Sequence, residues 1–258
     1  MVNLSQTMQQ SNLWVKVPKP NPDASMRLFC LPYAGGGTMP FRTWADHLPP
    51  QIEVCLVQLP GREARFRESP FTNITPLVQT LAQVLDPYLD LPFALFGHSM
   101  GSLICFELAR QLRAWQKPSP LHLFVSGRRA PQIPDRDPLM YTLPEGEFLQ
   151  KLRQLNGTPK QVLESAELMQ LFLPVLRADF AILGSYVYLE ERPFDFPISA
   201  FGGLEDTIEP FNLLEYWNKQ TCSSFSLQLF PGDHFFLNTN QQSLLENVGR
   251  LVLQTQPS

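Results

Sequence analysis

The sequence predicts an α/β fold in which a mostly parallel central sheet is flanked by helices. Short apolar runs rich in Leu, Val, Ile and Phe alternate with longer amphipathic stretches, which is typical of strand–helix alternation. Some of these runs, such as FALF at 93–96, are apolar throughout, as in strands that are buried on both faces. The length of 258 residues and the hydrophobic content of 44% together predict one domain, 1–258.

The predicted strands are the apolar runs bounded by Pro, Gly or Ser. They lie at 27–31, 53–59, 93–96, 121–126, 198–201 and 226–230, with 13–17 as a candidate edge strand. The predicted helices have apolar residues at helical spacing and lie at 74–89, 100–115, 210–219 and 243–253. Because parallel strands are joined by crossover connections, this order places helices on both faces of the sheet.

The segment 129–196 breaks the alternation, because it contains no convincing strand. Two parts of it, GEFLQKLRQL and ESAELMQLFLPVLRADFAILGSY, have the apolar spacing of helices. An insertion between two parallel strands lies near one end of the sheet. It can be additional helical packing, but the covers of active sites are commonly built in this way. We therefore expect 129–196 to be a helical lid.

The pentapeptide GHSMG at 97–101 follows a predicted buried strand and precedes a predicted helix. It has the G-x-S-x-G pattern of a nucleophile elbow. The serine of such a turn has a strained backbone, and the two glycines avoid clashes where strand and helix approach closely. The start of the helix directs free N–H groups toward the reacting centre. The pattern in this context predicts an α/β-hydrolase fold with Ser99 as the nucleophile.

Acyl transfer by such a serine needs two N–H donors for the developing oxyanion. The backbone N–H of Met100, the residue after the nucleophile, is the first candidate. The second is expected from the loop LPYAGGG after the strand 27–31, where three glycines allow a close approach of the backbone. Ala34 and Gly35 are the candidates, and the sequence does not distinguish them. The loop lacks the Lys-Ser/Thr ending of a phosphate-binding loop.

The general base is expected to be a histidine beyond the last strand, and the chain has four histidines. His98 lies in the elbow, His47 in a predicted early helix, and His122 at the start of a strand. His234 follows the strand 226–230 in the loop PGDHFF. Because the chain order of this fold is Ser, acid, His, we predict His234 as the base.

The acid that orients the histidine is expected at the end of a strand between the elbow and the base. Asp206, in FGGLEDT, fits this place, and Glu205 is an adjacent rival. Asp233 adjoins the histidine in sequence, where neighbouring side chains usually diverge, and Asp179 comes from the insertion. We therefore predict Asp206.

Composition restricts the remaining function classes. A net charge of -4 with 17% charged residues gives no reason to expect nucleic acid or an anionic membrane as a partner. The four cysteines form no C-x-x-C pair, so we expect no metal site, and a reducing compartment fits them best. The N-terminus lacks the features of a signal peptide, and no run of about 18 apolar residues exists. We expect a cytoplasmic protein, with a monomer favoured.

Six motifs occur in a fixed order: LFCLPYAGGG, VQLPGREARF, FGHSMGSLICFELAR, LPVLRADF, FGGLEDT and PGDHFFL. Together they resemble the type II thioesterases that work beside nonribosomal peptide and polyketide synthases, and the related medium-chain thioesterase of animal fatty acid synthesis. The resemblance implies hydrolysis of acyl groups from the phosphopantetheine arm of carrier proteins, which clears misprimed or stalled carriers, with no cofactor of its own. The triad of the family corresponds to Ser99, Asp206 and His234. Gly184 departs from the family, whose members often have an acidic residue there, and this implies an effect on the lid and on substrate choice.

The motif LPGREARF contributes three arginines near the same end of the sheet, Arg62, Arg65 and Arg67. They are either solvated loop charges or a docking patch for a phosphate or an acidic carrier, which Arg128 and Arg129 could join. Other functions use the same fold. A carboxylesterase, a lipase or a chain-releasing cyclase has the same triad, and a non-catalytic ligand-binding protein can also retain one.

Overall fold

The structure, a computed structural model, describes residues 13–155, 157 and 160–255. Its strands are β1 (Val15–Lys16), β2 (Met26–Leu31), β3 (Ile52–Val57), β4 (Phe93–His98), β5 (His122–Ser126), β6 (Ile198–Gly203) and β7 (Phe225–Phe230). They form one sheet in the order β1-β3-β2-β4-β5-β6-β7. β1 is antiparallel to β3, and all other pairs are parallel. The predicted α/β fold is confirmed, with strand ends shifted by one or two residues.

The α-helices within the described residues are α1 (Ile74–Leu85), α2 (Met100–Ala114), α3 (Glu145–Leu155), α4 (Lys160–Glu164), α5 (Ala166–Gly184), α6 (Phe236–Thr239) and α7 (Gln241–Gln254). The predicted helix 74–89 ends early, and a 3-10 turn at Asp86–Tyr88 follows it. Pro87 explains this end, because it has no N–H to continue the helical ladder. None of the described helices combines the length and hydropathy needed to cross a bilayer.

The strands alternate between two hydrophobic cores, one on each face of the sheet. On β4, Phe93 and Leu95 belong to the core that contains apolar residues of α1 and α2. Ala94 and Phe96 belong to the core that contains apolar residues of α7. Side chains of successive strand residues point to opposite faces, so an uninterrupted apolar run is buried on both. The double burial predicted from FALF is thus observed.

The predicted helix at 210–219 is helical, but it is not one α-helix. The chain there forms two 3-10 helices, Phe211–Leu213 and Glu215–Gln220. Its buried side chains Leu214 and Trp217 are three residues apart. Since a 3-10 helix has three residues per turn, this spacing directs both side chains to one side, where the segment contacts β6 and β7.

The insertion, residues 129–196, leaves the sheet after β5 and returns at β6, and it contains α3, α4 and α5. Its described residues form no strand and only an isolated bridge between Phe194 and Thr221. A third, smaller apolar cluster lies within the insertion and is separate from the two cores of the sheet. It consists of Met140, Phe148, Leu152, Met169 and Leu176.

Candidate active site

Ser99 lies in the sharp turn between β4 and α2. Its backbone has φ 53° and ψ -114°, a left-handed conformation that is unfavourable for a residue with a Cβ. A Cβ on Gly97 would meet the backbone of Gly101, and a Cβ on Gly101 would meet the carbonyl of Leu31. The two glycines therefore allow the helix to approach the strands, as the pentapeptide predicts.

Hydrogen bonds hold this turn in place. The Ser99 N–H donates to the carbonyl of Ser126 on the neighbouring strand at 2.7 Å. The Ser102 hydroxyl donates to the carbonyls of Gly97 at 2.7 Å and of Ser126 at 3.1 Å, and it accepts from the Ser126 N–H at 3.0 Å. Because α2, β4 and β5 meet in this network, the strained serine is fixed by the surrounding structure.

His234 and Asp206 meet across the ends of β6 and β7. The His234 Nδ1 atom lies 2.7 Å from Asp206 Oδ2, and both side chains are buried. The other carboxylate oxygen, Oδ1, accepts from the N–H groups of Ile208 at 2.8 Å and Glu209 at 2.9 Å. With one oxygen fixed by the backbone, the other is directed at the imidazole. A carboxylate so placed holds the histidine in one tautomer and stabilises its protonated form.

The three rival acids make different contacts. Asp233 is exposed and accepts from the Phe235 N–H at 2.8 Å, as a turn residue. Glu205 accepts from the Gly232 N–H and is also exposed. Asp179, on α5, is bonded to Arg62 and to the Gly35 N–H. The structure therefore brings Asp206 to His234 and directs the other carboxylates elsewhere.

A second histidine borders the first. The rings of His98 and His234 are 5.1 Å apart between centroids, and His98 Nδ1 lies 2.9 Å from the Ser126 hydroxyl. Burial, and then the proximity of His234, holds the pKa of His98 well below its usual value. His98 is therefore neutral at physiological pH. Gly127, with φ 57°, makes room for both rings, because a Cβ there would lie 2.8 Å from the His98 ring.

The glycine loop, residues 33–38, follows β2. Its two candidate donors differ in their contacts: the Gly35 N–H donates to Asp179 Oδ2 at 2.7 Å, so it is already engaged. Within the described chain the Ala34 N–H donates to no other group, and Ala34 lines the same cavity as Ser99. Met100 is the first residue of α2, where N–H groups lack helical partners. The Gly35 alternative is thus not supported.

Ser99 and His234 line one cavity of about 310 Å³. Its apolar wall comes largely from the insertion and includes Met140, Leu152, Leu155, Leu176, Phe180 and Leu183. Gly184, at the end of α5, also lines it, and a Cβ there would meet the carbonyl of Pro138. A side chain at 184 therefore requires the neighbouring loop to move.

The arginine docking patch is contradicted for most of its members. Arg62 and Arg65 are only 5% and 4% exposed; Arg62 pairs with Asp179 at 2.8 Å, and Arg65 pairs with Glu68. Both guanidinium groups are paired with carboxylates because an unpaired buried charge is costly. Of the three, only Arg67 is exposed, as either a solvated loop charge or a docking residue would be.

Arg128 and Arg129 are also buried and do not join such a patch. They pair with Glu209 at 3.0 Å and 2.7 Å, and Arg128 also pairs with Asp135 at 3.1 Å. All four residues line the cavity. Glu209 was not among the predicted site residues, because its partners lie 81 and 80 positions away in the sequence.

The fold and this site define a hydrolase of the α/β-hydrolase fold. The thioesterase domain family model matches residues 26–252, so the chain belongs to the thioesterase family and is an enzyme that acts on thioesters. The predicted resemblance to type II thioesterases of nonribosomal peptide and polyketide systems is confirmed.

Three relatives show how closely the chain follows this family. The gramicidin S biosynthesis protein GrsT of Aneurinibacillus migulanus is 48% identical over 239 residues, which is 93% of each chain. The RedJ thioesterase from the prodiginine pathway of Streptomyces coelicolor is 38% identical with a TM-score of 0.84, covering 90% of this chain and 92% of that one. The type II thioesterase BorB from the borrelidin cluster is 33% identical with a TM-score of 0.84, covering 95% and 99%.

Proposed function

We propose that this enzyme hydrolyses acyl groups carried as thioesters on the phosphopantetheine arm of carrier proteins, with Ser99 as its nucleophile. The observation that carries the proposal is the cavity shared by Ser99 and His234, with Asp206 bonded to the histidine, in a chain of the thioesterase family. The arm belongs to the partner, and the enzyme supplies no cofactor of its own.

In the first half of the reaction, the Ser99 hydroxyl attacks the thioester carbonyl while His234 Nε2 takes its proton. The negative charge that develops on the carbonyl oxygen is stabilised by the N–H groups of Met100 and Ala34. Collapse of the tetrahedral intermediate breaks the C–S bond, and the departing sulfur takes the proton from His234. Asp206 stabilises the imidazolium that exists between these two transfers.

In the second half, water attacks the acyl-serine and gives its proton to His234. The same two N–H groups hold the second oxyanion, and collapse returns the proton to Ser99 and releases the acid. The neutral state of His98 favours both steps, since a positive charge beside His234 would oppose formation of the imidazolium.

The relatives support a carrier-bound substrate, because GrsT serves gramicidin S biosynthesis and RedJ serves prodiginine biosynthesis. The proposed role is the clearing of misprimed carriers, so we expect a broad tolerance of short acyl chains. The insertion, whose side chains form one wall of the cavity, is proposed as a lid. We further propose that the protein acts in the cytoplasm as a monomer.

Labelling and kinetics test this function together. A fluorophosphonate is expected to label the wild type and not Ser99→Ala, while Ser243→Ala, altered at an exposed serine of α7, is labelled normally. Acyl groups on a holo carrier protein are expected to give a higher kcat/KM than the same groups on coenzyme A. Remote contacts with a carrier can contribute to transition-state stabilisation, which explains the difference.

Three outcomes would contradict the proposal. Undiminished turnover by a folded Ser99→Ala protein would exclude the serine mechanism. Faster hydrolysis of oxygen esters than of carrier thioesters would favour a carboxylesterase. Absence of both labelling and turnover in the wild type would favour a ligand-binding protein.

A further inference from the structure

The backbone of the glycine loop is held by a buried ion pair that does not touch the triad. Asp179 Oδ1 lies 2.8 Å from Arg62 Nη2, and Asp179 Oδ2 accepts from Arg62 Nη1 at 2.9 Å. The same Oδ2 accepts from the Gly35 N–H at 2.7 Å, and Arg62 Nη1 also donates to the Gly36 carbonyl at 3.0 Å. The pair therefore bonds to two successive residues of the loop.

This bonding fixes the peptide next to the proposed oxyanion donor. The Gly35 N–H belongs to the peptide plane that directly follows Ala34, and the Ala34 N–H belongs to the plane before it. Only the φ and ψ angles of Ala34 separate the two groups, so fixing the first plane removes much of the freedom of the second. Gly35 has φ 73°, and a Cβ there would collide with Leu176 of α5. The loop is thus seated directly against the helix that carries Asp179.

The far end of the loop is held by the neighbour of Arg62. Glu63 Oε1 accepts from the Thr38 N–H at 2.6 Å, and Oε2 accepts from the Thr38 hydroxyl at 2.7 Å and from Lys16 at 2.8 Å. Glu63 has φ 49°, a strained conformation for a residue with a side chain. The adjacent residues Arg62 and Glu63 thus hold the glycine loop at its middle and at its end, respectively.

We propose that Asp179, oriented by Arg62, is a positioning residue for the oxyanion hole. It aligns the glycine loop so that the Ala34 N–H faces the developing oxyanion. The inference rests on the proposed hydrolytic function of Ser99 and adds a residue that acts through the loop. Because Asp179 belongs to α5, the alignment also depends on how the insertion is seated.

A purely structural ion pair is the alternative. A buried pair is often no more stabilising than apolar residues of similar volume, so stability alone gives little reason for charges at these positions. Small errors in the placement of catalytic groups, in contrast, are costly: a shift of about 1 Å reduces rates about 10²-fold. Loss of one oxyanion donor lowers kcat by about 10²–10³-fold.

Two double variants separate these roles, because only one of them retains an acceptor for the Gly35 N–H. Arg62→Met/Asp179→Asn removes both charges but retains a side-chain oxygen for the Gly35 N–H. Arg62→Met/Asp179→Leu removes both charges and the acceptor. We expect kcat to fall about 10²-fold in the leucine variant and at least about tenfold less in the asparagine variant. Arg113→Met, which breaks a partly buried pair with Glu191 away from the cavity, is the control with unchanged kcat.

Inhibitors distinguish positioning from general damage. A trifluoromethyl ketone analogue of the acyl thioester accepts the Ser99 oxygen at its carbonyl and forms an oxyanion, whereas a thioether analogue binds without forming one. In the leucine variant we expect the Ki of the ketone to rise by the same factor by which kcat/KM falls. The Kd of the thioether is expected to stay within about threefold of the wild type, since the ground state makes no use of the oxyanion hole.

A loss of kcat below threefold in the leucine variant would overturn the proposal, as would a thioether Kd that rises as much as the ketone Ki. If circular dichroism shows that this variant does not fold, Arg62→Lys decides, because lysine lacks the fork that spans Asp179 and Gly36. In Arg62→Lys we expect kcat to fall at least fivefold and the Ki of the ketone to rise by the same factor. Unchanged values of both would overturn the proposal. Wild-type turnover that does not depend on Ser99 would instead refute the proposed function.

Discussion

Replacement of Asp206 by Asn tests how its carboxylate orients His234. The amide is nearly isosteric with the carboxylate, and its oxygen can still accept from the N–H groups of Ile208 and Glu209. The amide nitrogen then takes the place of Oδ2, which lies 2.7 Å from His234 Nδ1. The geometry is therefore expected to survive while the chemistry of this contact is reversed.

The size of the effect follows from this contact. An NH₂ group can only donate to Nδ1, so the imidazole proton moves to Nε2, and His234 can no longer accept the proton of Ser99. Loss of the correct tautomer in serine hydrolases costs about 10⁴-fold in kcat, which corresponds to about 5.5 kcal/mol in the activation free energy. Substrate binding does not involve this contact, so we expect KM to change little.

Steady-state hydrolysis of an acyl carrier thioester, measured by release of the thiol, gives the required kcat. Asp233→Asn and Glu205→Gln are the matched controls, because these carboxylates are exposed and bond only to loop N–H groups. Both controls are expected to retain kcat near the wild-type value. A loss of kcat below about tenfold in a folded Asp206→Asn protein would refute the assignment of the acid. A loss of kcat in Asp233→Asn that exceeds the loss in Asp206→Asn would refute it as well.

Other predictions concern stability and motion. Gly101→Ala is expected to lower the free energy of unfolding by about 1–3 kcal/mol, because the added Cβ meets a carbonyl of β2. Gly146→Ala, which has open space around its position in α3, is the control, and thermal unfolding is expected to show no loss of its stability. Burial raises the pKa of Glu63, but hydrogen bonds, led by that from Lys16, lower it below its usual value. The stabilisation that the Glu63 carboxylate contributes is therefore present above the unfolded pKa of about 4.3 and lost as the pH falls through the folded pKa. The Tm of Glu63→Gln is expected to depend less on pH in this range than the Tm of the wild type. Parallel curves of Tm against pH for the two proteins would contradict this. Hydrogen exchange in 129–196 is expected to be faster than in the sheet and to slow in the fluorophosphonate adduct, whereas uniformly slow exchange would indicate a plain structural insert.

The fold and the elbow were predictable because their signals are local. A run of a few apolar residues is enough to predict a buried strand. The pentapeptide GHSMG contains a strand end, a turn and a helix start within five residues. His234 was accessible by elimination among four histidines. The type of helix at 210–219 was not predictable, because a spacing of three residues between Leu214 and Trp217 fits both 3.0 and 3.6 residues per turn.

The roles of the charged residues were not predictable, because they depend on partners that are distant in the chain. Arg62 reads as a loop charge in LPGREARF, yet its partner Asp179 lies 117 positions away. Nor did the sequence separate Ala34 from Gly35, since only the position of α5 shows which N–H is engaged. Pairings of this kind are set by tertiary packing, and no local pattern encodes them.

Because the insertion has an apolar cluster of its own, the insertion and the sheet can accumulate substitutions at different rates. Side chains such as Phe148 and Met169 pack on one another within the insertion and not in the two cores of the sheet. Substitutions that reshape the acyl-binding wall can therefore accumulate there while the scaffold beneath the nucleophile keeps its free energy of unfolding. Asp179 limits this freedom, because a new insertion that lacks a carboxylate at this place would lose its connection to the glycine loop. Ile182 and Leu183 of the same helix limit it too, because they pack in one core of the sheet. Grafting the insertion of a relative onto this sheet is thus a route to new acyl specificity, provided that this carboxylate and the side chains of α5 that pack on the sheet are retained.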